Sequence, residues 1–391
     1  MKTVCDRTKR RRRPDRGIFV PSCHRRTHRN IYFTMPSSTK TDDAVAKEKF
    51  KTIIEEGCNV PVDTTRPKDV PEWFDAVLFA RGQKYFYSNF YAMFASNLIG
   101  LILVLTVPTI LDVLVFTNKS SDPYTAFKRY LDTIRHMLRW YRYDVTNAKS
   151  KSQISVAIVH GLHCAANRVS NKSGLGLRVT QKDMALTQFG FMGLLLLRKK
   201  ELAIVGTEED ERAILHFWRT IGYMLGIQDK YNLCCGSLEE VRGTCALILR
   251  DVYAPGLLNP PPRFEHMVEA LLSGMKPISP MLDTEAFMAF THELCGVPVR
   301  RPLVTRYSRW MYNVQVYTHA VLLTRAWLAA VFRPLLNYNM RFSVWLNVKF
   351  PVGAALQFGT KVFHRVRDEA PPHSLKQPAT KGRAAMMQSA S

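Results

Sequence analysis

Two short stretches hold the residues whose types and spacing could do chemistry. Val159-His160-Gly161-Leu162-His163-Cys164-Ala165-Ala166 sets two imidazoles three positions apart, neighbours on one helical face among small and apolar residues. A neutral imidazole in a dry helical pocket suits haem iron or another metal, and its competing fate is that of a hydrogen-bonded core histidine. Upstream, Arg129 and Thr133 stand four apart, with Arg135, His136 and Arg139 following. A face of that kind would hold haem propionates and present a distal hydroxyl; taken alone, it also reads as a basic amphipathic helix. A weaker arrangement is a non-haem metal centre from His160, His163 and His216 with a carboxylate such as Asp183.

Other chemistries lose support. The chain lacks a P-loop, a G-x-G-x-x-G, an H-E-x-x-H and a G-x-S-x-G signature. Its eight cysteines form no C-x-x-C pair, and Cys234 and Cys235 are adjacent, which fits reduced thiols rather than a disulfide framework. Cys23, His24 and His28 are too few ligands for a structural zinc site.

The elements that must position these residues read as helices. Thr180 to Asp183, Thr207 to Asp210 and Ser237 to Glu240 each place an acid three residues after a hydroxyl, the signature of a helix start. After Thr207, the residues Leu215, Trp218, Ile221, Leu225 and Ile227 fall largely on one side. Pro260, Pro261 and Pro262 separate a last apolar section over residues 265–360, which carries Trp310, Trp327 and Trp345 without a strand pattern. One all-α domain follows, over residues 61–368, between a basic flexible arm (1–60) and a disordered tail (369–391). Residues 98–116 hold fourteen apolar positions in nineteen. They are long enough to cross a bilayer, but Pro108 and Asp112 argue equally for a buried helix. The section over residues 320–332, interrupted by Arg325, reads as core or interface-lying.

With 47% hydrophobic and 22% charged residues in 391, the chain can bury a sizeable core. Its net charge of +23 is uneven: residues 1–34 carry +9 and residues 361–391 carry +4. The run Lys9 to Arg13 lacks the apolar stretch of a secretory leader, so secretion is not expected. No aromatic interleaving or binding motif accompanies the charge, and nucleic acid is not an expected partner.

In order along residues 75–255, the chain resembles the family of rubber oxygenases (latex-clearing proteins) and the endoplasmic-reticulum-bound oxygenases of the mycophenolate pathway. The resemblance rests on Gly82-Gln83 with Tyr85, Phe86 and Tyr87; Arg129 and Thr133 thirty residues before His163; Gln181 to Phe191; and Phe217 to Ile227. It implies an all-α fold with a globin-like core, haem b, and O₂-dependent cleavage of an isoprenoid or other lipophilic substrate. Carried over by position, His163 falls on the proximal iron ligand and Arg129 and Thr133 on the polar haem-pocket pair. Asp132 stands where rubber-cleaving members place Lys, and joins Arg129 and Thr133 as a candidate catalytic residue. His160 stands where an Arg is common and is a candidate cofactor contact. Asp112 is the only acid in the region where those enzymes supply a catalytic Glu. The expected location is a membrane surface, on the cytoplasmic face with the endoplasmic reticulum as one site, or the cytoplasm. The alternative function is a cofactor-less family member acting as a helical membrane-associated or scaffold protein.

Overall fold

The computed structural model describes residues 39–65 and 69–363. The Lys9–Arg13 run, the Cys23/His24/His28 group and the tail over residues 369–391 lie outside the described residues. Among those described, the elements are helices, with one isolated bridge between Pro61 and Thr180. All three hydroxyl–acid signatures open helices: α7 (Gln181–Leu197) behind Thr180, α8 (Glu208–Met224) behind Thr207 and α9 (Leu238–Ile248) behind Ser237, each with reciprocal capping.

The arm expected over residues 1–60 is corrected at its C-terminal side. α1 (Lys40–Lys51) starts at a Thr39–Asp42 capping box and continues through a π-turn at Thr52–Glu56. It packs on α9. Ala46 and Ile53 are buried, so a mostly polar helix is held by a narrow apolar seam.

The core is centred on α3 (Phe90–Leu105) crossing α7. A Cβ on Gly100 would lie 1.8 Å from the Gly190 carbonyl oxygen, far inside van der Waals contact, so the helices meet backbone to backbone. Nearly every residue of α3 is buried. The apolar run 98–116 is therefore not one rod: it breaks at Thr106–Val107, and Pro108 opens α4 (Pro108–Thr117). Among the described residues no single helix is long and apolar enough to cross a membrane.

Around this core, α2 (Ala76–Ser88) packs on α8, and α5 (Pro123–Arg142) lies between α6 (Lys151–Lys172) and α11 (Phe264–Met275). α10 (Ala254–Leu258) precedes the proline run, and α12 (Thr284–Leu294) packs on α13 (Arg306–Tyr317). α14 (Ala326–Lys349) crosses the outside of α3 and leads to α15 (Val352–Phe358).

Candidate functional site

The candidate site is the seam between α5 and α6. α5 is strongly amphipathic: Asp122 caps it, and Phe127, Tyr130, Ile134, Met137 and Trp140 are buried. On its α6 side Arg129, Thr133 and His136 follow one another at i, i+4 and i+7, one stripe of a helix. The Thr133 hydroxyl donates to the Arg129 carbonyl at 3.1 Å. His136 Nδ1 lies 2.7 Å from Ser155 Oγ of α6, which joins the two helices.

α6 begins at Ser150, whose side chain accepts from the Gln153 N–H. It turns Ser152, Ser155, Val156, His160, Cys164, Asn167 and Ser170 inward. His163 lies in this seam with its Nδ1 sealed from solvent and unpartnered among the described residues; Ser152 Oγ and Ser170 Oγ share that condition. Burial first, then the nearby His160 and Arg129, push the His163 imidazole down to about 4, so it is neutral at physiological pH. His136 is likewise lowered to about 4, by burial and then by Arg139. Arg129 is half-buried, and burial lowers the pKa of its guanidinium. Charge removed from water ordinarily acquires a counter-ion.

The remaining candidates fall elsewhere. His160 Nε2 donates to the Asp63 carbonyl at 2.8 Å, so that nitrogen is engaged by backbone. Asp132 is rotated about 100° from Thr133 and faces a different space. It pairs with Arg135 at 3.7 Å and lines a cavity of about 110 Å³ with Lys128, Asn347 and Lys349. It does not join Arg129 and Thr133. Asp112 is bound to Arg178 at 3.1 Å.

The non-haem centre is not assembled either. His216 accepts from the Asp75 N–H at 2.9 Å among Trp73 and Phe74, and Asp183 accepts from the Thr109 hydroxyl at 2.6 Å. Among the described residues no three His, Cys, Asp or Glu side chains come together as a metal site.

Sequence reasoning named His136 only among the residues following Arg129 and Thr133, gave it no role, and left Ser155 out of the site. The signal for His136 was present: it continues the Arg129–Thr133 stripe. Two motif stretches prove to be scaffolding. Gln181 bridges the carbonyls of Pro61 and Gly226 at 3.2 and 3.0 Å. Gln188 ties Trp218, Asn232 and Leu233 together.

The arrangement defines an all-helical protein in which two neighbouring helices present a neutral imidazole and an inward cation. Its fold is similar to that in the solved "Structure of Latex Clearing Protein LCP in the closed state", with a TM-score of 0.54 and 16% sequence identity over 78% of this chain and 88% of that one. Residues 85–349 match the family described as "ER-bound oxygenase mpaB/B'/Rubber oxygenase, catalytic domain", and the chain belongs to that family. No curated protein matches.

Proposed function

We propose that the protein is a haem b-dependent oxygenase acting with O₂ on a lipophilic, isoprenoid-like substrate. The observation that carries this reading is the juxtaposition of His163, an imidazole with its Nδ1 sealed and held neutral, with Arg129, a guanidinium taken partly out of water. An iron porphyrin matches both demands at once, since it takes one imidazole at its metal and offers carboxylates at its edge. When bound, it supplies a redox iron at which O₂ can be activated for attack on a carbon–carbon double bond.

The chain's own residues have distinct tasks. His163 offers a lone pair without first losing a proton. Arg129 would hold a carboxylate edge by charge-assisted hydrogen bonds. Thr133 can turn its hydroxyl from the Arg129 carbonyl toward a polar ligand at the cost of one hydrogen bond. His136 and Ser155 fix the spacing of α5 and α6. The tightly packed α3 and α7 behind them form the apolar core of the same domain.

The test is spectroscopic and chemical. Haem-supplemented protein is expected to show a Soret band and to release carbonyl fragments from a prenyl chain in the presence of O₂; His163→Ala is expected to lose both. An absent band, or an unchanged one in the variant, overturns the reading in favour of a cofactor-less helical protein.

A further inference from the structure

α14 is held to the core by two kinds of contact. Met340, Val344 and Val348 pack on it, and polar side chains anchor the same side: Arg333 donates to the carbonyls of Ala203 and Leu323 at 2.9 and 2.6 Å. Asn337 donates to Ser88 O at 2.8 Å and accepts from Tyr91 N at 2.9 Å. Ser343 and Asn347 donate to the carbonyls of Ile278 and Pro277. The outward side carries Trp327, Val331, Leu335, Tyr338, Phe342 and Trp345, between 45% and 74% exposed. Their spacing of three and four residues makes one continuous stripe along 24 residues, about 36 Å of helix.

The stripe does not end with the helix. Tyr338, Phe342, Trp345 and Phe350 follow one another at ring separations of 6.3, 5.7 and 6.1 Å, and Val352 and Leu356 beyond them are 50% and 85% exposed. A helix whose second side faces water carries polar residues there, and a contiguous exposed apolar patch marks a docking surface.

Charge selects the occupant. Residues 294–367 contain eleven Lys or Arg and no Asp or Glu; of these Arg306, Arg309, Arg325, Arg341, Lys349 and Lys361 are exposed, so α14 and the segments next to it in sequence present cations. A second copy of the chain docking by the same face would bring like charges together. The chain ends outside the described residues are no better suited, because residues 1–38 carry a net +9 and residues 364–391 a net +3. An anionic lipid surface complements both features: apolar and aromatic side chains enter the headgroup boundary, and Arg and Lys meet lipid phosphates and carboxylates.

We infer that α14 and the segment after it form a docking surface on which the protein lies flat against an anionic bilayer. It enters one leaflet without crossing, and the inference stands independently of the haem proposal.

Flotation of the full chain with phosphatidylcholine vesicles, with and without phosphatidylserine, tests it. The protein is expected to float with the phosphatidylserine vesicles and to bind them less at raised salt. The fourfold variant Val331→Asn, Leu335→Gln, Phe342→Gln, Trp345→Gln is expected to bind about tenfold or more weakly, with unchanged far-UV circular dichroism and melting temperature. Brominated-lipid quenching of tryptophan fluorescence in the unmodified protein gives a second readout that needs no variant, and quenching is expected. Absence of flotation or of quenching overturns the inference. So does undiminished flotation of the variant, which assigns binding to the Lys9–Arg13 run present in both proteins. A dimer that the variant separates, without vesicle binding, replaces the bilayer with a second copy.

Discussion

Beyond burial and the nearby His160, the Arg129 guanidinium on α5 acts electrostatically on the His163 imidazole on α6 and helps to keep it unprotonated. Replacing Arg129 by Met is expected to raise the His163 pKa from about 4, because the repelling charge is gone. NMR titration of the cofactor-free protein measures this. The same variant should unfold at no lower urea concentration than the parent, since it removes a charge held partly out of water. In the haem-loaded protein it should weaken retention by about tenfold or more, as the loss of a charge-assisted contact of about 1.5–3 kcal/mol implies.

His160 and His163 are separable by substitution. His160→Ala removes the bond to the Asp63 carbonyl and should cost about 1–3 kcal/mol in urea unfolding, by leaving a buried acceptor unmet. It should leave any haem spectrum in place. A spectrum lost with His160 and retained without His163 would reverse the assignment of the two residues.

Acid should weaken the fold through His319, quite apart from the seam. Its Nδ1 donates to the Leu202 carbonyl at 2.9 Å, its Nε2 is sealed without a partner, and burial lowers its pKa from 6.5 to about 4. The unfolded chain therefore binds this proton before the native one does. The contribution is fully present above about pH 6.5 and is lost as pH falls toward 4, by at most about 3 kcal/mol. The unfolding free energy measured between pH 7 and 4 should slope less in His319→Gln than in the parent.

Gly100→Ala tests the α3–α7 crossing. With the Gly190 oxygen 1.8 Å from the new methyl position and backbone on both sides, no side chain can move aside. The helices must separate, at a cost of about 4 kcal/mol or more. Urea unfolding, or failure to accumulate folded protein, reports it; a variant within about 1 kcal/mol of the parent would mean that the two helices do not meet there.

The helical architecture was legible because its signals are local. Three hydroxyl–acid pairs announced α7, α8 and α9, and the same pattern at Thr39 and Asp42 was overlooked only because the surrounding composition reads as an arm. The site was less legible because its decisive contacts are distant in sequence. His160 and His163 look interchangeable three residues apart. What separates them is the carbonyl of Asp63, 97 positions from His160, and no periodicity carries that information. Asp132 shows the converse: adjacency to Thr133 in sequence places it on another side of the same helix. The polar anchors of α14 were hidden for the same reason, since their partners are backbone groups of four other segments.

The bond from His160 to Asp63 also bears on how a cofactor would be loaded. Asp63 N–H donates to Gly226 O and Val62 N–H to Val179 O, so the strand-like segment that grips α6 is itself pinned beside α7 and α8. α6 cannot rotate about its axis without tearing His160 from that grip, and His163, three residues on, is fixed with it. A ligand taken at His163 would then meet an imidazole already set in one orientation, with no search among helix positions.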